Sequence, residues 1–543
     1  MNVILKSREG WLLILIFTFF GISYIYNLTY SGLWYDEAIE YFYSKYMIGP
    51  VPVNPVDQSG SNMYERICIT YQPPLYNFLM YFWLLFYDNE GWFRLAGVIT
   101  TFLGSIGFYC AIRRLVGYKL GAIGLCIYLS TAAVAIYALE CAEYNLMLCM
   151  ECWMLYFFVV CIQYRQAIVE WRALVGFFVF ASLSVYSQYG ASFFIVGLVI
   201  ALCITYIKYK NWKSLSRLCV MGAITCIVAI IPLYVFFVRI QLTGQGTDEI
   251  SHAPVFVGNF LSGIPYSLAI SFYEQIKWIF STSLIWGWRS LQIMLIVIVA
   301  GFACTFYAVF HKQRLCVLLP SIAATVICYL LFFVLSACSY YAYNSWDGLL
   351  GCYNIIKHTR YILFFVPLLV FTFYVGIISM YKILEKRNLR RLAIGSLLVI
   401  LFFFISNVVW GLHKGRIKSD TREVTMAWLA RKDYVHKVVV QEWESGAFMY
   451  YLQHSPEYND EIKKRVILTK HEIRISEKVE SHLQELGVFD LQEFYFIGRK
   501  HVNDISKEGE IRMISNLFTK KGYNVQTIWS GSSALLYVSK KNV

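Results

Sequence analysis

Charge is what this sequence has least of. Of its 543 residues only 15% are Asp, Glu, Lys or Arg, while 58% are hydrophobic and the mean hydropathy is +0.54. So little charge over so long a chain excludes an ordinary soluble domain and indicates a polytopic membrane protein. Acidic residues are the scarcer kind, and the formal net charge is +13. That excess does not indicate nucleic acid, because Lys and Arg fall in short clusters between apolar stretches, the pattern that orients a membrane protein. Cysteine is missing from the end of the chain, with none after Cys352, and no paired CxxC spacing of a zinc site occurs. The fifteen cysteines that are present read as small buried hydrophobes. Cys149 and Cys152 lie inside an apolar run, a poor place for a metal, and Cys338 with Cys352 leaves one pairing open. No internal repeat and no low-complexity segment is visible. The first apolar run follows Lys6 and Arg8, is long for a signal-peptide core and lacks an A-x-A site, so it is expected to stay as a first span.

Long apolar runs are abundant. Eleven are expected to span: Trp11–Leu28, Phe93–Ile112, Leu120–Ala138, Tyr144–Ile162, Ala173–Ser187, Gly190–Ile207, Leu218–Val238, Leu291–Phe310, Leu315–Ser336, Tyr361–Tyr381 and Leu392–Gly411. A twelfth run, Leu75–Tyr87, falls short of the roughly 20 residues a span needs. Charge decides its place. With the N-terminus inside and Leu75–Tyr87 lying along the membrane, every basic cluster between spans falls inside: Arg113/Arg114/Lys119, Arg165/Arg172, Lys208–Arg217, His311–Arg314 and Lys382–Arg391. Letting that run span would turn all the later clusters outward.

This topology places four loops on the outer face: about Thr29 to Trp92, Leu139–Glu143, Arg239–Ser290 and Ala337–Arg360. The tail after Lys414 is also outside. It turns polar and alternates helix-like and strand-like runs, among them Glu423–Ala430, Val438–Gln441, Phe448–Leu452, Phe494–Ile497, Ile511–Lys520 and Leu535–Val538. A small α/β domain over 412–543, following a membrane domain over 1–411, is expected.

The outer loops carry more polar chemistry than connectors need. Asp36 and Glu37 sit where the first span meets water, in Gly32-Leu33-Trp34-Tyr35-Asp36-Glu37-Ala38. Carboxylates beside hydrocarbon are costly unless used. Neighbours on a helix point apart, so one can act on a substrate while the other orients or solvates. The plainer alternative is an acidic first turn of the helix that follows. Tyr71-Gln72-Pro73-Pro74 fixes the entry to the short run. Glu140 and Glu143 are expected on one helical face at the membrane edge, with Glu143 serving as a helix-end carboxylate. Basic residues gather outside against the trend: Arg94, Arg239, Lys277, Arg289, Lys357, His358 and Arg360. Guanidinium groups at an outer membrane edge suit a phosphate, and interfacial anchoring is the competing use. Together these groups suit transfer of a group from a lipid phosphate to a hydroxyl, with a carboxylate base and cations on the leaving phosphate.

The order W-Y-D-E-A, then Q-P-P-L-Y-N-F-L, then E-x-x-x-R-L-A-G resembles the GT-C membrane glycosyltransferases. It is most similar to the branch holding protein O-mannosyltransferases and lipid A aminoarabinose transferases (glycosyltransferase family 39-like). The resemblance covers about residues 1–411 and is most specific over 33–145. It implies a polyprenyl-phosphate sugar donor, inversion at the anomeric carbon, and Asp36 as catalytic carboxylate with Glu37 beside it. Glu90 and Arg94 match the E-x-x-x-R entry to the second span, where the resemblance implies a structural role. The second acidic motif falls on Glu140-Cys141-Ala142-Glu143-Tyr144, where Glu140 and Tyr144 match and Ala142 replaces an Arg. Gln72, after Tyr71, stands where relatives often carry a His or Lys before Pro-Pro, and Gln188-Tyr189 replaces a His-Tyr pair. With two cations missing, the resemblance leaves the lipid phosphate to Arg360, Arg239 and Arg289, with His358 nearby. No cofactor is certain; metal use varies across this superfamily, so a divalent ion beside Asp36 and Glu37 stays open. The expected partners are the membrane, the lipid-linked donor and a lipid, glycan or protein acceptor, at the outer face of a bacterial cytoplasmic membrane. A flippase for lipid-linked sugars and an envelope assembly factor are the competing classes.

Overall fold

A computed structural model describes residues 8–48, 63–69, 72–244, 279–280, 288–311, 315–343, 359–415, 419–432, 435–469, 476–499 and 509–541. By contacts the chain forms two compact units. The first is Met1–Leu28, Thr70–Leu79 and Arg94–Arg416, and the second is Thr29–Ile69, Met80–Phe93 and Ile417–Val543.

The first unit is helical. Where the expected spanning runs are described, they are mostly helix, and six helices among the described residues are long and apolar enough to cross a membrane. In hydrocarbon a helix satisfies its own backbone polar groups, which is why apolar runs of this length become helices. The helix Val366–Lys386 is at the centre: every residue from Val366 to Ser379 is buried. It is apolar on all sides, as a helix enclosed by others must be. A 3₁₀ segment, Thr359–Phe365, leads into it, and Pro367 sits in its first turn, where the missing N–H costs nothing.

Glycine permits a close helix contact. Gly97, Gly104 and Gly107 recur at spacings of seven and three along the helix Glu90–Val116, so they share one face. A Cβ on Gly104 would lie 2.6 Å from the Cys149 Cα, and one on Gly107 would lie 2.9 Å from the Trp153 backbone N. The helix Tyr144–Gln163 therefore approaches backbone to backbone, the small-residue packing of membrane helices.

Two expected spans are irregular. The run Leu120–Ala138 divides into Tyr118–Leu129 and Ala132–Tyr137, broken at Ser130 and Thr131. The Thr131 hydroxyl donates to the Ile127 carbonyl at 2.9 Å, a back-bond that competes with the helix ladder. The run Leu218–Val238 is one long helical stretch carrying π turns at Cys226–Ile230 and Tyr234–Val238. Pro232 lies between them and removes an N–H from the ladder.

The second unit joins part of the loop after the first expected span to the tail. Its sheet comprises β1 (Lys437–Val440), β2 (Val466–Leu468), β3 (Glu493–Arg499), β4 (Tyr523–Ser530) and β5 (Ser533–Lys540), in the order β2-β1-β3-β5-β4. β1 runs parallel to β2 and β3, and β5 runs antiparallel to β3 and β4. The parallel pairs require crossovers, supplied by the helices Glu442–Gln453 and Ser476–Glu485. Strand β3 is buried from Phe494 to Ile497, a continuous apolar run on a covered central strand. Val439, Phe494, Phe496, Phe518 and Leu536 form the core with their neighbours. The short helix Pro74–Phe86 is followed by a tight turn in which Trp83 and Trp92 stack at 4.3 Å. Each indole N–H donates to the other residue's carbonyl, at 2.8 and 3.0 Å.

Candidate active site

The carboxylates of the first loop open a helix, Tyr35–Lys45. Trp34 is its extended N-cap, at φ −100° and ψ 175°, so Asp36 and Glu37 both fall in the first turn, where the helix dipole favours negative charge. Glu37 is 1% exposed, and its carboxylate accepts the Trp34 N–H at 3.3 Å. It is thus a capping residue. Asp36 is half-buried, one step away around the helix. The two neighbours take different jobs, as their directions on a helix require.

The strand-like approach to this helix is clamped by the tail. Gly32 donates its N–H to the Ser419 carbonyl at 3.0 Å. Leu33 donates its N–H to the Tyr451 hydroxyl at 2.5 Å, and that hydroxyl in turn donates to the Glu90 carboxylate at 2.9 Å. Arg422 reaches the same carboxylate at 3.3 Å and the Thr29 carbonyl, also at 3.3 Å. Gly32 is needed for its size: a Cβ there would meet the Ser419 carbonyl and the Tyr451 hydroxyl, each at 3.1 Å. Further along the same helix, Ala38 packs on Gly446 of the tail helix, where an added Cβ would lie 3.1 Å away.

The other end of Tyr35–Lys45 is held by Asp88. Lys45 pairs with it at 2.7 Å, Tyr41 donates to it at 3.0 Å, and His454 of the tail approaches at 3.4 Å. Burial pushes the Asp88 carboxyl up, but His454 and Lys45 outweigh burial and hold it below its ordinary value. Burial likewise pushes the His454 imidazole down, and the Asp88 carboxylate more than reverses this, leaving it raised.

The other predicted residues belong to the first unit. Residues 138–143 form a turn rather than the helical face expected for Glu140 and Glu143, although both acids are buried. The Asn145 side chain donates to the Glu140 carbonyl at 2.8 Å and so takes that carbonyl out of any helix ladder. Tyr144 begins the following helix and meets the Tyr137 ring edge-on at 5.5 Å. The Gln72 carbonyl accepts from the Gln241 side chain at 2.9 Å, and the Gln241 amide oxygen accepts from the Tyr189 hydroxyl at 2.7 Å. Gln72 and Tyr189, both singled out in the sequence, are therefore joined through Gln241, which was not. Arg94 is fully buried and donates to the Leu28 carbonyl at 2.8 Å, tying the second span to the end of the first, a structural role. Arg239 is exposed. Tyr71 and His358 lie outside the described residues, as do the side chains of Arg289 and Arg360.

Sequence reasoning missed a further acid. Glu151, on the helix Tyr144–Gln163, is 0% exposed, and neither carboxyl oxygen has a hydrogen-bond partner among the described residues. Its signal was present, a lone acid in a spanning run. For a metal, no three His, Cys, Asp or Glu side chains converge among the described residues, and Glu37 is engaged with Trp34.

No sequence-family model matches the chain, and no curated protein matches it. Solved structures do. The oligosaccharyltransferase of Archaeoglobus fulgidus in its apo form aligns over 99% of this chain and 75% of its own, at 11% identity and a TM-score of 0.50. ArnT of Cupriavidus metallidurans, bound to undecaprenyl phosphate, aligns over 98% of both chains at 13% identity and a TM-score of 0.45. The fold is similar to that of the oligosaccharyltransferase. At these identities the likeness speaks for architecture, and the chemistry rests on the residues of this chain.

Proposed function

We propose that this chain is an inverting glycosyltransferase that moves a sugar from a polyprenyl-phosphate donor to an acceptor hydroxyl on the outer face of the membrane. The observation that carries the reading is Asp36: a half-buried carboxylate in the first turn of a helix, with its neighbour Glu37 committed to capping. The GT-C architecture and the order of motifs around Asp36 support it.

In this reading the Asp36 carboxylate accepts the proton of the acceptor hydroxyl. The hydroxyl oxygen attacks the anomeric carbon from the face opposite the phosphate. The bond from that carbon to the phosphate oxygen breaks, and polyprenyl phosphate leaves with the electron pair. Arg360, Arg239 and Arg289, with His358, are proposed to stabilise the leaving phosphate. Glu140, Tyr144, Tyr71 and Gln72 are proposed to line the acceptor and donor site. The eleven-span topology, with the N-terminus inside and the domain over 412–543 outside, belongs to the same proposal.

The test compares envelope glycans by mass spectrometry in a deletion strain carrying wild type or Asp36→Asn at equal expression. Restoration of a sugar mass increment by wild type alone is expected, and the increment names the sugar class. Equal restoration by both proteins would overturn the assignment of Asp36.

A further inference from the structure

We infer that Tyr451 is a positioning residue for the Asp36 site, so that the C-terminal domain sets the geometry of catalysis; this rests on the reading of Asp36 as the base. The Tyr451 hydroxyl stands at a junction. It accepts the Leu33 N–H at 2.5 Å and donates to the Glu90 carboxylate at 2.9 Å. Leu33 lies three residues before Asp36 and is fully buried, so its backbone has no water to turn to when the hydroxyl is removed. The carboxylate end is fixed in its own right, because Arg422 grips Glu90 at 3.3 Å and also holds the Thr29 carbonyl. The neighbouring bond from Gly32 to the Ser419 carbonyl, at 3.0 Å, runs to the same domain. Thr29, Gly32 and Leu33 are therefore held by Arg422, Ser419 and Tyr451 of the tail, with Glu90 bracing Arg422 and Tyr451.

The consequence is a division of labour. The helix Tyr35–Lys45 sets the direction of Asp36 relative to its own axis. The clamp on residues 29–33 sets where that helix begins. A base must stand within hydrogen-bond reach of the proton it takes, and misplacement by about 1 Å costs on the order of a hundredfold in rate. Tyr451 touches no reacting atom in this scheme and acts through the backbone.

Two measurements on the full-length protein test this. Tyr451→Phe keeps the ring and removes the hydroxyl. Hydrogen exchange of the peptide covering residues 30–36 is expected to speed up roughly fivefold, the loss of one hydrogen bond, while strands β1, β3 and β5 exchange as before. In the deletion strain the rate at which the glycan increment appears is expected to fall at least about tenfold at equal expression. Glu90→Gln keeps an acceptor oxygen for Tyr451 and is expected to retain more activity than Glu90→Leu, a ranking that holds even where Tyr451→Phe folds poorly. Unchanged exchange at residues 30–36, an unchanged rate, or equal losses in the two Glu90 variants would overturn the inference. Asp36→Asn is run alongside. If it abolishes the increment and Tyr451→Phe leaves the rate unchanged, the positioning role fails and the transferase reading stands. If Asp36→Asn is fully active, both fail.

Discussion

Glu444 makes the stability of the tail domain depend on pH in an unusual direction. Its carboxyl is fully buried beside the first residue of the helix Thr421–Leu429, and the Thr421 hydroxyl donates to it. Burial pushes the group up to about 7, against the pull of Thr421, Arg499 and Ser533, and the nearby Asp420 adds to the rise. A carboxyl raised above its unfolded value of 4.5 contributes stability that is complete below pH 4.5. That contribution is lost as the pH climbs to about 7 and stays lost above it. At about 1.36 kcal/mol per pH unit, the interval corresponds to about 3 kcal/mol. The perturbation is Glu444→Gln, which keeps the shape and removes the charge at every pH. The assay is hydrogen exchange of strand β5 and the helix Glu442–Gln453 in the purified protein, from pH 5 to 8 and corrected for intrinsic rates. Wild type is expected to lose protection across this range, and the variant to stay flat and exceed wild type at pH 8. Protection of wild type that rises with pH would mean the Arg499 charge wins over burial and would refute the reasoning. So would a variant weaker than wild type at pH 8.

Two further outcomes follow from the membrane helices. Gly104→Ala places a methyl 2.6 Å from the Cys149 Cα, where only backbone can move aside, and is expected to cost about 1–3 kcal/mol, read as a lowered Tm in detergent; an unchanged Tm would mean that the two helices stand further apart. Glu151→Met replaces a carboxyl that has no hydrogen-bond partner among the described residues with an apolar side chain of similar length. It is expected to leave Tm equal or raise it, by up to roughly 1–3 kcal/mol of relieved desolvation, and a fall in Tm would reveal a partner for the acid.

Local chemistry was legible in the sequence, and distant pairing was not. Spanning runs such as Tyr144–Ile162 are readable because hydrocarbon leaves helix as the one solution for a lone apolar segment. The acidic first turn at Asp36 and Glu37 was readable because two adjacent acids stand at the end of such a run. The capping role of Glu37 follows from its place three residues after Trp34. By contrast, Leu33 and Tyr451 are separated by 418 residues, and nothing periodic in either neighbourhood announces the other. Arg94 could be read as a structural residue of the second span, but sequence does not show the Leu28 carbonyl that it meets. The turn at residues 138–143 depends on one side chain, Asn145, that captures a carbonyl. Strand β4 has its buried and exposed residues out of strict alternation, so it carried no strand pattern to find.

The tail clamp also imposes an order in time. The hydroxyl that receives the Leu33 N–H is made 418 residues after Leu33 itself. At roughly 5–20 residues per second, a ribosome needs about 20–80 s to cover that distance. Through that interval the segment bearing Asp36 lacks Ser419, Arg422 and Tyr451. If Asp36 is the base and Tyr451 positions it, as proposed above, a nascent chain is inactive until synthesis of its tail arms it.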